Sequence, residues 1–382
     1  MTYYQPVPMN YQRLGNYIRE VNIRNRDMRV NNLQGVSISK AFMPSIANTI
    51  GTDMSTYKIV ERGQFAYGPV TSRNGDKVSI ALLEDCDTAI ISQAYTVFEV
   101  IDTDKLLPEY LMMWFRRPEF DRYARFHSHG SAREVFDWEE MCDVQLPVPP
   151  IERQREIVAE YETLTRRIRL NQQIIQRLED SAQTLYRNTF IDNIDTPPPP
   201  GWHLAPLTEI ATYLNGIACQ KYQTDGDVFL PVLKIRELTQ GCCDSNSDHV
   251  LTNIPIEFVI DDGDVIFSWS ATLLIDIWCG GKCALNQHLF KVTSDIYPKW
   301  FYYLWTQNHI AEWKHLIAAK ATSMGHIKRE DLESAQVIIP SDGALKELDM
   351  LMSPLFEMYF QKKKENIKLT ELQSLLLAKM GQ

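Results

Sequence analysis

No run of apolar residues in this sequence approaches the length of a membrane span, so no spanning helix is expected. The opening stretch, MTYYQPVPMNYQRL, has no charged segment followed by an apolar one, and no secretory signal is read there. Cysteines number seven, an odd count. Cys242-Cys243 and Cys279…Cys283 lack zinc-ligand spacing with partners nearby, which predicts reduced thiols, no metal and a cytoplasmic location. Cationic excess is missing too. The formal net charge is −10, which argues against a nucleic-acid binder unless Lys and Arg are concentrated locally. Catalytic signatures are also missing: there is no G-x-x-x-x-G-K-[ST], no G-x-G-x-x-G and no H-E-x-x-H. No Asn/Asp-Pro-Pro-aromatic motif of an amino-methyltransferase occurs. Asp261, Asp262 and Asp264 suggest a metal or nuclease site at first sight. The matching stretch elsewhere, VERGQFAY, has no aspartate, so a turn is the better reading. His127 and His129 have no second pair and are read as loop histidines.

What is present is a long helix, Ile151 to Asp192. Ile157, Tyr161, Leu164, Ile168, Asn171, Ile175, Leu178, Ala182 and Leu185 alternate spacings of four and three, a heptad seam that is apolar except at Asn171. Pro149-Pro150 precede it and Pro197 to Pro200 follow, marking both ends. At 1.5 Å per residue the helix is roughly 60 Å long. So narrow a seam needs a partner helix. Asn171 is either a polar residue tolerated at the edge or the residue that fixes register.

With 382 residues, two or three domains are expected, and the chain repeats itself. LGNYIREVN (14–22), inside a predicted short helix over 13–22, matches LTEIATYLN (207–215). GVSISKAF (35–42) corresponds to PVLKIREL (231–238), and YKIVERGQFAYGP (57–69) to EFVIDDGDVIFSW (257–269), aligning Gly63 with Gly263. YTVFEVI (95–101), a β-branched and aromatic strand, answers HLFKVTS (288–294). LPEYLMMWF answers YPKWFYYLW. GSAREVFDWEEMCDVQLPVP (130–149) aligns without a gap on ATSMGHIKREDLESAQVIIP (321–340). A second long helix ends the chain, with a seam at Leu345, Leu348, Met352, Leu355 and Tyr359. The seam weakens through Lys362 to Lys364 and resumes at Ile367, Leu372 and Leu376; Pro354 is a potential kink. The expected organisation is a globule over 1–150, a helix over 151–195, a globule over 196–342 and a helix over 343–382. The fold class is α+β: two similar mixed α/β globules separated by two long helices in an antiparallel coiled coil, with pseudo-twofold internal duplication.

The equivalent turns GSAR (130–133) and ATSMGHIK (321–328) offer Ser131 and Arg133, and Thr322, Ser323, His326 and Lys328, with Lys320 adjacent. Hydroxyls and N–H groups at a helix start suit phosphate oxygens, although Ser131, Thr322 and Ser323 equally suit N-caps. Cations at a helix start oppose its dipole, so Arg133, Lys320 and Lys328 are poorly explained by capping. Further DNA-contact candidates are Lys40, Tyr67, Arg73 and Lys77 in the first globule, and Lys234, Arg236, Trp269 and Ser270 in the second. The alternative for each is a solvated surface charge, and for Trp269 a core position.

The sequence resembles the DNA-specificity (S) subunits of type I restriction–modification enzymes. LPVPPIERQREIVAEYETLTRRI (146–168), LEDSAQTLYRNTFID (178–192), GDVIFSW (263–269), NQHLFKV (286–292) and the halved layout carry the likeness. Arg153 departs from the usual Glu before Gln, and IIPSDGALKEL lacks the proline-rich lead-in to the second helix. The resemblance implies two target recognition domains, each reading one half of a split, asymmetric double-stranded DNA sequence. It also implies that the helices are a spacer and a dock for two adenine-methyltransferase (M) subunits, with motor-nuclease (R) subunits joining them. S-adenosylmethionine would bind the M subunits and not this chain, which would have no catalytic residue. A coiled-coil adaptor that binds only protein, and an enzyme with an unrecognised nuclease or methylase site, are the alternatives. The missing motifs predict that purified chain, given S-adenosylmethionine and DNA, transfers no methyl group in a radiolabel assay.

Overall fold

The computed structural model describes residues 11–45, 51–72, 74–75, 77–130, 133–192, 198–224, 226–319 and 326–381, with backbone alone at 316–319. The chain divides into two units, Met1–Arg166 with Thr370–Gln382, and Arg167–Leu369.

The first unit runs β1 (Tyr11–Arg13), a 3-10 turn, β2 (Ile18–Val21), β3 (Gln34–Val36), β4 (Phe42–Pro44), β5 (Lys58–Glu61), β6 (Phe65–Tyr67), β7 (Ile80–Leu82), β8 (Thr88–Ile91) and β9 (Thr96–Val100). It continues with α1 (Pro108–Phe115), α2 (Pro118–Phe126), α3 (Trp138–Asp143), β10 (Gln145–Pro147) and the long α4 (Ile151–Phe190), which runs on into the second unit. The second unit continues with β11 (His203–Pro206), α5 (Leu207–Ile210), β12 (Thr212–Asn215), β13 (Leu230–Leu233), α6 (Ile235–Gln240), β14 (His249–Val250), β15 (Val259–Ile260), β16 (Val265–Ser268), β17 (Leu274–Ile277), β18 (Cys283–Leu285) and β19 (Leu289–Thr293). α7 (Lys299–Ala319), α8 (Arg329–Ser334), β20 (Gln336–Ile339) and α9 (Asp342–Lys379) follow, and α9 from Thr370 onward belongs to the first unit.

The expected duplication is seen in sheet order. β2-β9-β6-β7 in the first unit and β12-β19-β16-β17 in the second are four-stranded antiparallel sheets of the same connectivity. β1 pairs with β10 as β11 pairs with β20, and β5 with β8 as β15 with β18. Gly63 and Gly263 occupy the same turn with φ of 86° and 93°, a region open to glycine at no steric cost.

Three expectations are corrected: a predicted helix, the correspondence of GVSISKAF with PVLKIREL, and the register of one repeated strand. RLGNYIREVN is not a helix: Leu14 and Ile18 mimic one helical face, but Ile18–Val21 pairs with β9 from Ile18↔Val100 to Val21↔Val97. GVSISKAF is a hairpin, in which Lys40 takes a φ of 63° between β3 and β4. PVLKIREL turns from β13 into α6; Glu237 accepts the Lys234 backbone N–H at 3.2 Å and Gly241 ends the helix at a φ of 83°. In the strand YTVFEVI, Phe98 faces Phe65 where Val292 faces Val265, so the text alignment with HLFKVTS is one residue out of register. Pro118 divides α1 from α2, while α7, with no proline, runs unbroken.

All nine seam residues of α4 are buried or half-buried. In the first unit Ile157 and Tyr161 pack with Leu376, Leu377 and Met380, and the Gln373 amide donates to Thr165 Oγ1 at 2.7 Å. In the second, Leu178 and Ala182 pack with Leu355, Phe356 and Tyr359. Numbers rise on one helix as they fall on the other, which makes the pairing antiparallel, as expected. Each fully buried Leu or Phe side chain contributes roughly 2 kcal/mol. Leu372 is 50% exposed, and half-buried Gln373 takes its place in the seam. Where the seam weakens, Lys362 pairs with Glu365 at 2.7 Å, Lys363 with Asp276, and Lys364 with Asp262 at 3.0 Å. Pro354 lies inside α9 without ending it.

Gln154, fully buried, stitches the start of α4 to the loop before α1. Its Oε1 accepts the Leu107 N–H at 2.9 Å, and its Nε2 donates to the carbonyls of Lys105 and Pro149, both at 2.8 Å. α9 starts differently, the Leu345 N–H donating to Ser341 O at 2.8 Å, and Asp349 accepts the Trp300 indole N–H at 2.8 Å.

At mid-seam, within the second unit, Asn171 is 1% exposed and its Nδ2 donates to Asn366 Oδ1 at 3.0 Å. Beside it Arg167 holds Glu365 at 2.7 Å. Hydrogen bonds from Arg167 and Lys362 depress the Glu365 carboxyl from 4.5 to about 2. A depressed carboxylate stabilises the fold above its unfolded pKa, and that contribution is lost as pH falls through the folded one. Denaturation of the wild type and Glu365→Gln should therefore differ at pH above 4.5 and converge towards about pH 2. A constant difference across that window would contradict this role.

Candidate nucleic-acid interface

The sheet order of the second unit brings three strand ends together. Asn215 ends β12, His288 precedes β19, and Trp269 follows β16; Asn215 pairs in register with Phe290. A cleft of ≈ 820 Å³ opens there, lined among others by Tyr213, Asn215, Trp269, Phe290, His326 and Lys328. The Trp269 indole N–H donates to Asn215 Oδ1 at 3.1 Å. Its ring lies 5.7 Å from that of His326 and 5.9 Å from those of His288 and Phe290. An antiparallel bridge from Ser270 to His326 holds the second wall to the first, and the Ile327 N–H donates to Trp269 O at 3.0 Å. Ala271, next in the turn, is held at a φ of 55°, a strained position for a residue with a Cβ. Lys328 is exposed, and Arg329 beside it pairs with Glu333 at 3.1 Å. No carboxylate lines the cleft among the described residues. Flat rings, the His326 imidazole and the cations Lys328 and Arg329 are the equipment for stacking and phosphate contact.

The first unit has the same frame with other chemistry. Val70 bridges Val135 where Ser270 bridges His326, and Asp137 caps α3 where Lys328 precedes α8.

Of the residues singled out from the sequence, Trp269, Ser270, His326 and Lys328 come together here. Arg73, Ser131, Lys320, Thr322 and Ser323 lie outside the described residues. Lys77 and Arg133 are exposed. Lys40 is a correction: it is buried, paired with Asp121 at 2.7 Å and bonded to Phe115 O, and burial lowers its pKa. Tyr67 is fully buried against Phe98 and Phe136, and Ser270 is 4% exposed, so neither side chain meets solvent. Lys234 pairs with Asp248. Arg236 is clamped by Glu237 at 2.6 Å and Asp244 at 2.9 Å, and the Asp244 hydrogen bond leads in raising its pKa. Its donors are spent inside the unit. Trp269, half-buried, borders the cleft and is not a core residue.

Asn215, Tyr213, His288, Phe290 and Arg329 were missed. For Asn215 a signal existed: LGNYIREVN and LTEIATYLN share only their first leucine and their last asparagine, Asn22 and Asn215.

The three aspartates form a turn, with Asp264 Oδ2 accepting the Asp261 N–H at 2.9 Å and Asp262 Oδ1 accepting the Gly281 N–H at 2.8 Å. His127 lies 2.9 Å from Glu140. Among the described residues no group of three His, Cys, Asp or Glu side chains is placed to hold a metal, and no helix is long and apolar enough to cross a membrane.

Residues 55–180 match the sequence model of the type I restriction modification DNA specificity domain. The chain is 23% identical over 303 residues to the type I restriction enzyme MjaIX specificity subunit of Methanocaldococcus jannaschii, covering 74% of this chain and 70% of that one. It is 26% identical over 137 residues to the HindI specificity subunit of Haemophilus influenzae, covering 35% of this chain and 29% of that one. Its fold is similar to the crystal structure of a type I restriction–modification S subunit from M. genitalium, with a TM-score of 0.60, 10% identity and coverage of 100% and 98%. These findings bear out the resemblance read from the sequence.

The interior position of Lys40 has a direct test. Removing one partner of a buried ion pair strands the other charge, at a cost of about 3 kcal/mol or more. Asp121→Asn should lose about that much in urea denaturation, whereas a surface DNA contact at Lys40 would leave the stability of Asp121→Asn unchanged.

Proposed function

We propose that this chain, a member of the specificity-subunit family of type I restriction–modification enzymes, reads a bipartite, asymmetric DNA sequence with its two units and docks methyltransferase subunits on its long helices. The observation that carries the reading is one sheet framework built twice with different side chains at the same strand ends. Equal frames present their reading edges alike, and unlike side chains select unlike sequences. Each well-placed bidentate contact to a base edge discriminates by about 1–3 kcal/mol. The acidic net charge is compatible with this function if partner subunits neutralise much of the phosphate backbone.

In this reading the chain is non-catalytic. Methyl transfer to adenine belongs to two M subunits, which bind S-adenosylmethionine, and cleavage to R subunits where they join. The complex works in the cytoplasm on double-stranded DNA. The paired helices set the unread gap, and the Asn171–Asn366 hydrogen bond supports this by favouring one register of the helices.

Selection from random-sequence DNA pools by a mobility shift, with the M subunit present, tests the proposal. Enrichment of one two-part sequence supports it; binding to the M subunit with no enriched sequence would leave a protein adaptor instead. A second expectation concerns the gap. Seven residues inserted after Asn171 and seven after Asn366 lengthen the helices by roughly 10 Å. The unread gap should grow by about three base pairs at 3.4 Å each, with both specified halves unchanged. Altered halves would contradict the spacer role.

A further inference from the structure

We infer that Asn215, held by the Trp269 indole, is a base-reading residue for the second half-site, and that its target is a purine presenting N7 in the major groove. The inference rests on the DNA-reading function proposed above. Four observations carry it. Asn215 is exposed, at the end of β12 and on the lip of the cleft. The Trp269 N–H at 3.1 Å engages Oδ1, which fixes the flip of the amide and turns Nδ2 away from the indole. A side chain pinned in this way loses little rotamer freedom when it meets a ligand. Lys328 and the cleft rings stand beside it with no carboxylate among the described lining residues. Finally, Asn22 holds the matching place after β2 in the first unit and is also exposed.

The chemistry follows from the amide. Nδ2 supplies donors, and purine N7 is the major-groove acceptor shared by adenine and guanine. Oδ1 keeps a second lone pair, which suits the adenine N6 amino group, so adenine satisfies both ends of the side chain. Trp269 is a positioning residue here: it orients the amide and need not touch the base. Lys328, by contrast, suits a phosphate, a contact that carries no sequence information.

The test uses full-length chain with its M subunit and random-sequence DNA pools. Asn215→Asp keeps an acceptor for the Trp269 N–H and replaces the outward donor by an oxygen. It should lose discrimination at one position of the second half by roughly 10-fold, with the first half and the unfolding temperature unchanged. Trp269→Phe keeps a ring, removes the N–H and should weaken the same position. Lys328→Ala should weaken binding to all sequences alike and reduce the salt dependence by about one ion. If the wild type selects a two-part sequence and Asn215→Asp selects the same one with undiminished preference, the inference fails and the function stands. If the wild type selects no sequence, it is the function that fails.

Discussion

A helix of forty residues whose apolar positions form one narrow stripe is stable in water only when that stripe is covered. α4 meets this requirement with α9, and much else in the molecule follows. Leu178 and Ala182 bury against Leu355, Phe356 and Tyr359, and Ile157 and Tyr161 against Leu376, Leu377 and Met380. An all-apolar seam would tolerate slippage by a heptad. Asn171 and Asn366 oppose it, because each finds its hydrogen bond in the other and a slipped pairing would bury an amide against hydrocarbon, at about 1–3 kcal/mol. Salt bridges from Arg167 and Lys362 to Glu365 reinforce the same place.

The two units are built to one plan and finished differently. The four-stranded sheets share their order, the glycine turns share their φ, and the bridge from Val70 to Val135 recurs as that from Ser270 to His326. What differs lies at the strand ends and in the insertions. The second unit carries α6 and β14 and the Arg236–Glu237–Asp244 cluster, whose charges are paired with one another, where the first has the β3–β4 hairpin and the buried Lys40–Asp121 pair. The framework tolerates such changes because its core residues lie on the inner faces of the strands and on α1 and α7.

Much of this was legible in the sequence, and the exceptions have physical causes. Long seams and gapless repeats are properties of many residues at once, so α4 and the duplicated sheets were readable. Short segments were not. Leu14 and Ile18 fit a helical face or a strand equally well until β9 supplies a register. Single cations were read least well. A lysine in text is a charge, but Lys40 becomes an interior residue once Asp121 and Phe115 O surround it, and Arg236 is consumed by neighbours on its own helix and loop. Asn215 escaped notice because it has no charge, although the repeat had already placed it opposite Asn22.

The most direct measurement is an adenine-methylation map by single-molecule sequencing, in a host given this chain and its methyltransferase partner. The account predicts modified adenines in one asymmetric sequence, two specified parts around an unspecified gap of constant length. Modification in a continuous palindrome, or in two parts at variable spacing, would contradict it.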